Sequence, residues 1–179
     1  MRKVLYILGE LSDGDIDWMA SVGSQTEVMR DDTLIHEGKA IDSIYVVLDG
    51  KLGVHVGSQA HPVALLGRGE IVGEMSLIDK RPPSATVRAM STSRVLRVPR
   101  SEIEAKFAED LGFSARFHRA LSVFLSDRLR STVGQLGYGK PLSLDEDQED
   151  EDELDLGVLE KVSLAGARFD LLLQRLSGH

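Results

Sequence analysis

The stretch Gly69-Glu70-Ile71-Val72-Gly73-Glu74-Met75-Ser76-Leu77-Ile78-Asp79-Lys80-Arg81-Pro82-Pro83-Ser84-Ala85-Thr86-Val87-Arg88-Ala89 decides the reading of this chain. Two glycines bracket a β-like pair, a glutamate follows, then one apolar turn, then a returning strand. Glycine at 73 has no Cβ and lets backbone approach a ligand closely. A turn beginning near Met75 points free N–H groups at whatever lies above it, which suits an anion. The Glu74 carboxylate can accept hydrogen bonds from a sugar hydroxyl and from nearby amides. Together these features suit a ribose phosphate.

Around this stretch, from Thr26 to Val98, apolar residues recur with a period of two in short runs. They include Val28, Leu34-Ile35, Ile44 to Leu48, Leu52, Val54, Val56, Val63, Leu65, Ile71, Val87 and Val95 to Val98. Turn signals separate them at Arg30-Asp31-Asp32, Glu37-Gly38-Lys39, Asp49-Gly50, Gly57-Ser58, Gly67-Arg68-Gly69 and Ser91-Thr92-Ser93. Asp49-Gly50 is the best local hairpin signal, because a tight turn needs positive φ. Many short, closely spaced strands predict an antiparallel sandwich or roll.

Helical spacing flanks the strands. Residues 1–24 carry Leu5, Leu8, Leu11, Ile16, Met19 and Val22, with Ser12 as an N-cap followed by acid in the first turn. Ser101 and Glu104 read as a capping box opening a short helix to about Ala108. A longer helix is predicted from Phe113 to Leu136, its stripe formed by Phe113, Phe117, Leu121, Phe124, Leu125, Leu129, Val133 and Leu136, with Gly137 to Pro141 ending it. Residues 156–176 read as one more amphipathic helix. The expected organisation is a helical segment at 1–24, a β-roll with its C-terminal helices at 25–139, an acidic linker at 140–155 and a terminal helix at 156–179.

The net charge of −8 is concentrated: nine acids and no base lie between Asp145 and Asp155, and without them the chain is nearly neutral. Neither part offers the clustered Lys/Arg face that a phosphate backbone requires, so no nucleic acid is expected. There are no cysteines, which excludes disulfides and thiolate chemistry. The five histidines, at 36, 55, 61, 118 and 179, have no metal-ligand spacing. No G-x-S-x-G nucleophile motif occurs, and no enzymatic activity is expected. The N-terminal apolar run is too short for a secretory segment and no run approaches a membrane span, so a soluble, cytoplasmic protein is expected.

Gly-Glu-Met-Ser-Leu at 73–77, followed by Ser-Ala-Thr-Val at 84–87, resembles the phosphate-binding cassette of cyclic-nucleotide-binding domains. The catabolite activator proteins and the regulatory subunits of cyclic-AMP-dependent kinase are examples of that family. The resemblance covers about residues 5–136. It implies a mainly β fold with flanking helices: an eight-stranded antiparallel β-roll, N-terminal helices and two C-terminal helices. It also implies cAMP or cGMP as ligand, without a cofactor. By the resemblance, Glu74 takes the ribose 2′-hydroxyl, the amides around Ser76 and Leu77 face the cyclic phosphate, and Ser84 lies where phosphate or purine is touched. The candidate ligand-binding set is Gly73, Glu74, Met75, Ser76, Leu77, Arg81, Ser84, Ala85 and Thr86.

One departure matters. Ligand-binding members place an arginine immediately before the Ser-Ala-Thr-Val strand; here Pro83 stands there and Arg81 lies two residues earlier. Loss of a charge-assisted hydrogen bond weakens binding about 10- to 150-fold. Weak binding, binding through Arg81 and no binding all remain open. Two functions follow. The first is a regulatory sensor that signals a bound nucleotide through helix rearrangement to a protein partner, as a homodimer joined along helix 113–136. The second is an interaction or scaffold module that keeps the fold without the ligand. The terminal helix either folds back on the roll or offers its Leu/Phe face to a partner. A transcription factor of this family would continue into a winged helix-turn-helix, for which too little chain follows helix 113–136.

Overall fold

The computed structural model describes residues 6–59, 61–135 and 156–178. Chain order is α1 (Tyr6–Glu10), α2 (Asp13–Val22), β1 (Ser24–Val28), β2 (Thr33–Ile35), β3 (Ser43–Asp49), β4 (Leu52–His55), β5 (Ala64–Leu66) and β6 (Ile71–Val72). Then come α3 (Glu74–Asp79), β7 (Thr86–Ala89), β8 (Ser93–Pro99), α4 (Arg100–Glu109), α5 (Leu111–Gln135) and α6 (Leu156–Ser177). The end signal at Gly137 to Pro141 and the acidic run 145–155 lie outside the described residues.

The eight strands form two four-stranded antiparallel sheets, ordered β1-β8-β3-β6 and β2-β7-β4-β5. This is the expected mainly β roll with flanking helices. Alternation decides which face each residue takes. Tyr45, Val47, Val72 and Val95 of the first sheet meet Ile35, Leu52, Val54, Leu66, Val87 and Ala89 of the second in an inner core. Ile44, Val46, Leu48, Ile71, Leu96 and Val98 point the other way, into a second core shared with the helices.

Asp49-Gly50 is not a hairpin, because β3 and β4 belong to different sheets. Gly50 does adopt φ 91°, as the turn signal requires. The turn makes a corner instead, where Lys51 N–H donates to Ser91 Oγ and Ser93 Oγ at 3.1 Å each. Dipeptide chemistry specifies a tight reversal but not whether the outgoing strand stays in the same sheet. The Ser101 capping box is also absent: α4 begins at Arg100 after Pro99 without a side-chain cap, and Glu104 accepts from Arg100 Nε at 2.8 Å.

The Ser12 signal does form a capping box, with Asp15 N–H to Ser12 Oγ at 3.2 Å and Ser12 N–H to Asp15 Oδ2 at 2.7 Å. Asp15 has a second role. Its side chain is 4% exposed and takes a two-pronged bond from Arg116 of α5, Nε at 2.8 Å and Nη2 at 2.9 Å. Burial works to raise the Asp15 carboxyl, but the bonds from Arg116 and Ser12 outweigh it and hold the group below its ordinary value.

Four residues of the predicted α5 stripe, Phe113, Phe117, Leu121 and Phe124, are buried in the helix-side core. Leu125 packs against the same core, whereas Leu129 is 65% exposed. The terminal helix folds back: Ala165, Phe169 and Leu172 are buried against the N-terminal helices. Arg168 donates through Nη1 to Gly9 O (2.8 Å) and Leu8 O (3.3 Å), satisfying carbonyls at the end of α1, and through Nε to Asp13 at 3.0 Å. Arg175 pairs with Asp17 at 2.7 Å, and Gln25 Nε2 donates to Leu176 O at 3.0 Å. Among the described side chains, the Leu/Phe face of α6 is covered within the chain at Phe169 and Leu172, with Leu173 and Leu176 partly buried beside them.

Candidate functional site

The cassette hangs from β3. Gly69 N–H donates to Val47 O at 2.7 Å and Val47 N–H returns a bond to Glu70 O at 2.9 Å, which fixes the start of β6. At the end of β6, Gly73 adopts φ 89° and opens α3. A side chain there is doubly excluded: a Cβ would lie 2.8 Å from Ile41 Cδ1 and 3.0 Å from Ser43 O, and the backbone is left-handed. The close approach that requires glycine at 73 is thus to β3 and its preceding loop.

Helix α3 sorts the next residues by face. Glu74 (3% exposed), Ser76 (5%) and Leu77 (9%) are buried, whereas Met75 and Ile78 are about half exposed. Leu77 anchors the turn in the helix-side core. Burial of a carboxylate is costly unless hydrogen bonds compensate it, and Glu74 has interaction partners within the protein. Lys80 ends the turn at φ 59°.

The returning arm differs. The Arg81 side chain is 83% exposed and its Nε lies 4.0 Å from Asp79 Oδ2, while its N–H donates to Asp79 Oδ1 at 3.0 Å. Ser84 is exposed, Ala85 packs on the edge of the inner core, and Thr86 begins β7. The structure therefore gathers Gly73, Glu74, Ser76 and Leu77 into one buried turn and leaves Met75, Arg81 and Ser84 on the surface.

The loop before β3 holds this arm, which the sequence did not reveal. Gly38 N–H donates to Pro83 O at 2.9 Å, and Glu37 N–H donates to Thr86 Oγ1 at 3.1 Å. The Glu37 carboxylate also accepts from Gly57 N–H at 2.8 Å, so one residue, through its backbone and its side chain, joins the loop to the cassette arm and to the β4–β5 connection. Glu37-Gly38-Lys39 carried only a turn signal, and nothing local points to partners tens of residues away.

An open cleft of about 490 Å³ lies beside the cassette, lined by Leu34, Ile35, His36, Lys39, Ile41 and Tyr45 among others. None of its lining residues belongs to the candidate set. Ile41 joins it to a recess beneath α3, lined also by Ser43, Gly73, Ser76 and Arg100, that holds no water-sized space. Among the described residues no cluster of three or more His, Asp or Glu can hold a metal, and no helix is long and apolar enough to cross a membrane.

Comparison with known proteins agrees with this geometry. A cyclic nucleotide-binding domain from Methylobacillus flagellatus superimposes with a TM-score of 0.67 at 22% identity, covering 80% of this chain and 85% of that one. The cyclic AMP receptor protein of Thermus thermophilus is 35% identical over 72 residues, 38% of this chain and 33% of the relative. A lysophospholipase of Neosartorya fischeri is 25% identical over 114 residues, 62% of this chain but only 8% of that protein. The chain thus spans a small part of the curated relatives it matches, some of which are enzymes that carry such a domain as one part. The family described as "Cyclic nucleotide-binding domain" matches residues 25–110. With the two-sheet roll and the glycine-opened turn beneath β3, this segment of the chain is a member of the cyclic nucleotide-binding domain family.

Proposed function

We propose that the chain is a non-enzymatic regulatory sensor that binds cAMP or cGMP against Gly73 to Leu77 and passes the event through α4 and α5 to a protein partner. The observation that carries this reading is the buried Glu74 at the start of a turn opened by left-handed Gly73. A carboxylate held there offers an acceptor for a ribose hydroxyl, and the first-turn amides beside it offer donors for a phosphate. The named ligand of the Thermus relative supports the choice of nucleotide.

A second reading, a scaffold module without ligand, is favoured by Pro83 and by the outward-facing Arg81. Calorimetric titration with cAMP and with cGMP separates the two. Saturable heat supports the sensor, and its absence at millimolar nucleotide overturns it. If Arg81 swings in to neutralise the phosphate, Arg81→Ala weakens binding about tenfold or more; unchanged affinity removes that role. Homodimerisation along α5 would use the surface around the exposed Leu129. Leu129→Asp is then expected to lower the sedimenting mass, whereas Phe117 is unsuitable because it lies in this chain's own core.

A further inference from the structure

The contact between Arg68 and Phe169 has no counterpart in the reading above. Arg68 stands between Gly67 and Gly69 in the turn from which β6 and Gly73 follow. Its guanidinium carbon lies 5.2 Å from the centroid of the Phe169 ring. Phe169 is 6% exposed, and α6 is seated on α1 and α2 by Arg168 and Arg175. Ile71 and Leu77, on either side of Gly73, belong to the same buried cluster as Ala165, Phe169 and Leu172. The terminal helix thus grips the cassette at its lead-in turn and shares a core with its anchor residue.

We propose that Arg68 and Phe169 are positioning residues for the cassette, so that docking of α6 and the geometry of residues 69–79 form one coupled equilibrium. The ring holds the guanidinium by cation–π attraction. The guanidinium holds the Gly67–Gly69 turn, and that turn sets the direction in which β6 delivers Gly73 and Glu74. Coupling of this kind is reciprocal: whatever tightens the cassette tightens α6 by the same factor. The effect on nucleotide rests on the proposed sensor function; the coupling between α6 and the cassette does not.

The test is amide hydrogen exchange on the full chain without ligand, with a nucleotide titration as a separate arm. Phe169→Leu keeps apolar bulk but removes the π face, Arg68→Gln removes the charge without touching the core, and Arg68→Lys retains a cation. Exchange over 69–79 is expected to rise about two- to fivefold in Phe169→Leu and in Arg68→Gln. Arg68→Lys should stay near wild type, and the double variant should exchange no faster than either single one. Unchanged exchange in Arg68→Gln with α6 still protected overturns the proposal, as does a double variant whose effects simply add. In the second arm, cAMP affinity is expected to fall by the same factor in Arg68→Gln, and wild-type affinity there rules out positioning. Absence of nucleotide binding by the wild type defeats the sensor reading and leaves the exchange result to decide this one.

Discussion

The two sheets of the roll have four strands each and share an inner core, but they are covered differently. The sheet β1-β8-β3-β6 is packed on both faces, with the second sheet inside and the helices outside. In β3 the run Ser43 to Leu48 is buried without a break. Among the described residues, the sheet β2-β7-β4-β5 is packed on one face only. Its other face carries Thr86 and Arg88 opposite His55 and Gly53, and Leu65, 61% exposed, opposite Gly53. The cassette is built at the seam, leaving the double-covered sheet at β6 and returning in the single-covered one at β7. Its first arm therefore takes its rigidity from two cores, while its second is held by the loop bonds at Pro83 and Thr86.

The largest expected effect lies on the helix-covered side. Phe117 is fully buried among the helices, and Phe117→Ala should cost about 3–5 kcal/mol in denaturant unfolding. A loss below about 1 kcal/mol would mean that α5 does not dock as described.

Asp15→Asn sharpens the same contrast through electrostatics, because it breaks the bond joining α2 to α5. The expected loss at neutral pH is about 1.5–3 kcal/mol, moderated because Arg116 is 38% exposed. The Asp15 carboxyl is held below its ordinary value in the fold. Its contribution is therefore complete above the unfolded value of about 3.9 and disappears as pH falls through the lower folded one. Unfolding curves of wild type and variant should separate at pH 7 and converge in acid; a gap that widens in acid would reverse the sign.

At the seam, Gly73→Ala forces a side chain onto left-handed backbone and into Ser43 O. About 1–3 kcal/mol of destabilisation is expected, with faster exchange over 69–79. Unchanged stability would show that the turn relaxes freely. On the open face Leu65→Lys should change stability by no more than about 0.5 kcal/mol. A larger loss would mean that this face is covered after all.

The difference in cover was partly legible beforehand. A continuous apolar run at Ile44 to Leu48 against the alternating Leu52 and Val54 is what two-sided and one-sided burial look like in sequence. Val63 and Leu65 share that alternation but face outward, and Leu66 takes the core side. The Ser12 cap was legible because its partner is three residues away. Ser101 and Glu104 share that spacing, but Arg100 competes for the glutamate, and a motif does not reveal its competitor. Gly73 and Glu74 stood out because their chemistry is local. Glu37, Ile41, Arg68 and Phe169 did not, since each acts through a contact distant along the chain.

Local chemistry by itself settled roughly where the strands and helices lie, which glycines must turn the chain, and that a turn with a carboxylate at its start follows Gly73. These follow from φ limits, side-chain periodicity and capping, all of which operate within a few residues. Tertiary structure decided that Asp49-Gly50 crosses between sheets and that the α5 stripe packs inward from Phe113 to Leu125. It also decided that α6 returns to the N-terminal helices and that Phe169 meets Arg68. Those outcomes depend on which apolar faces find one another once the chain collapses, and burial of area carries no record of sequence distance.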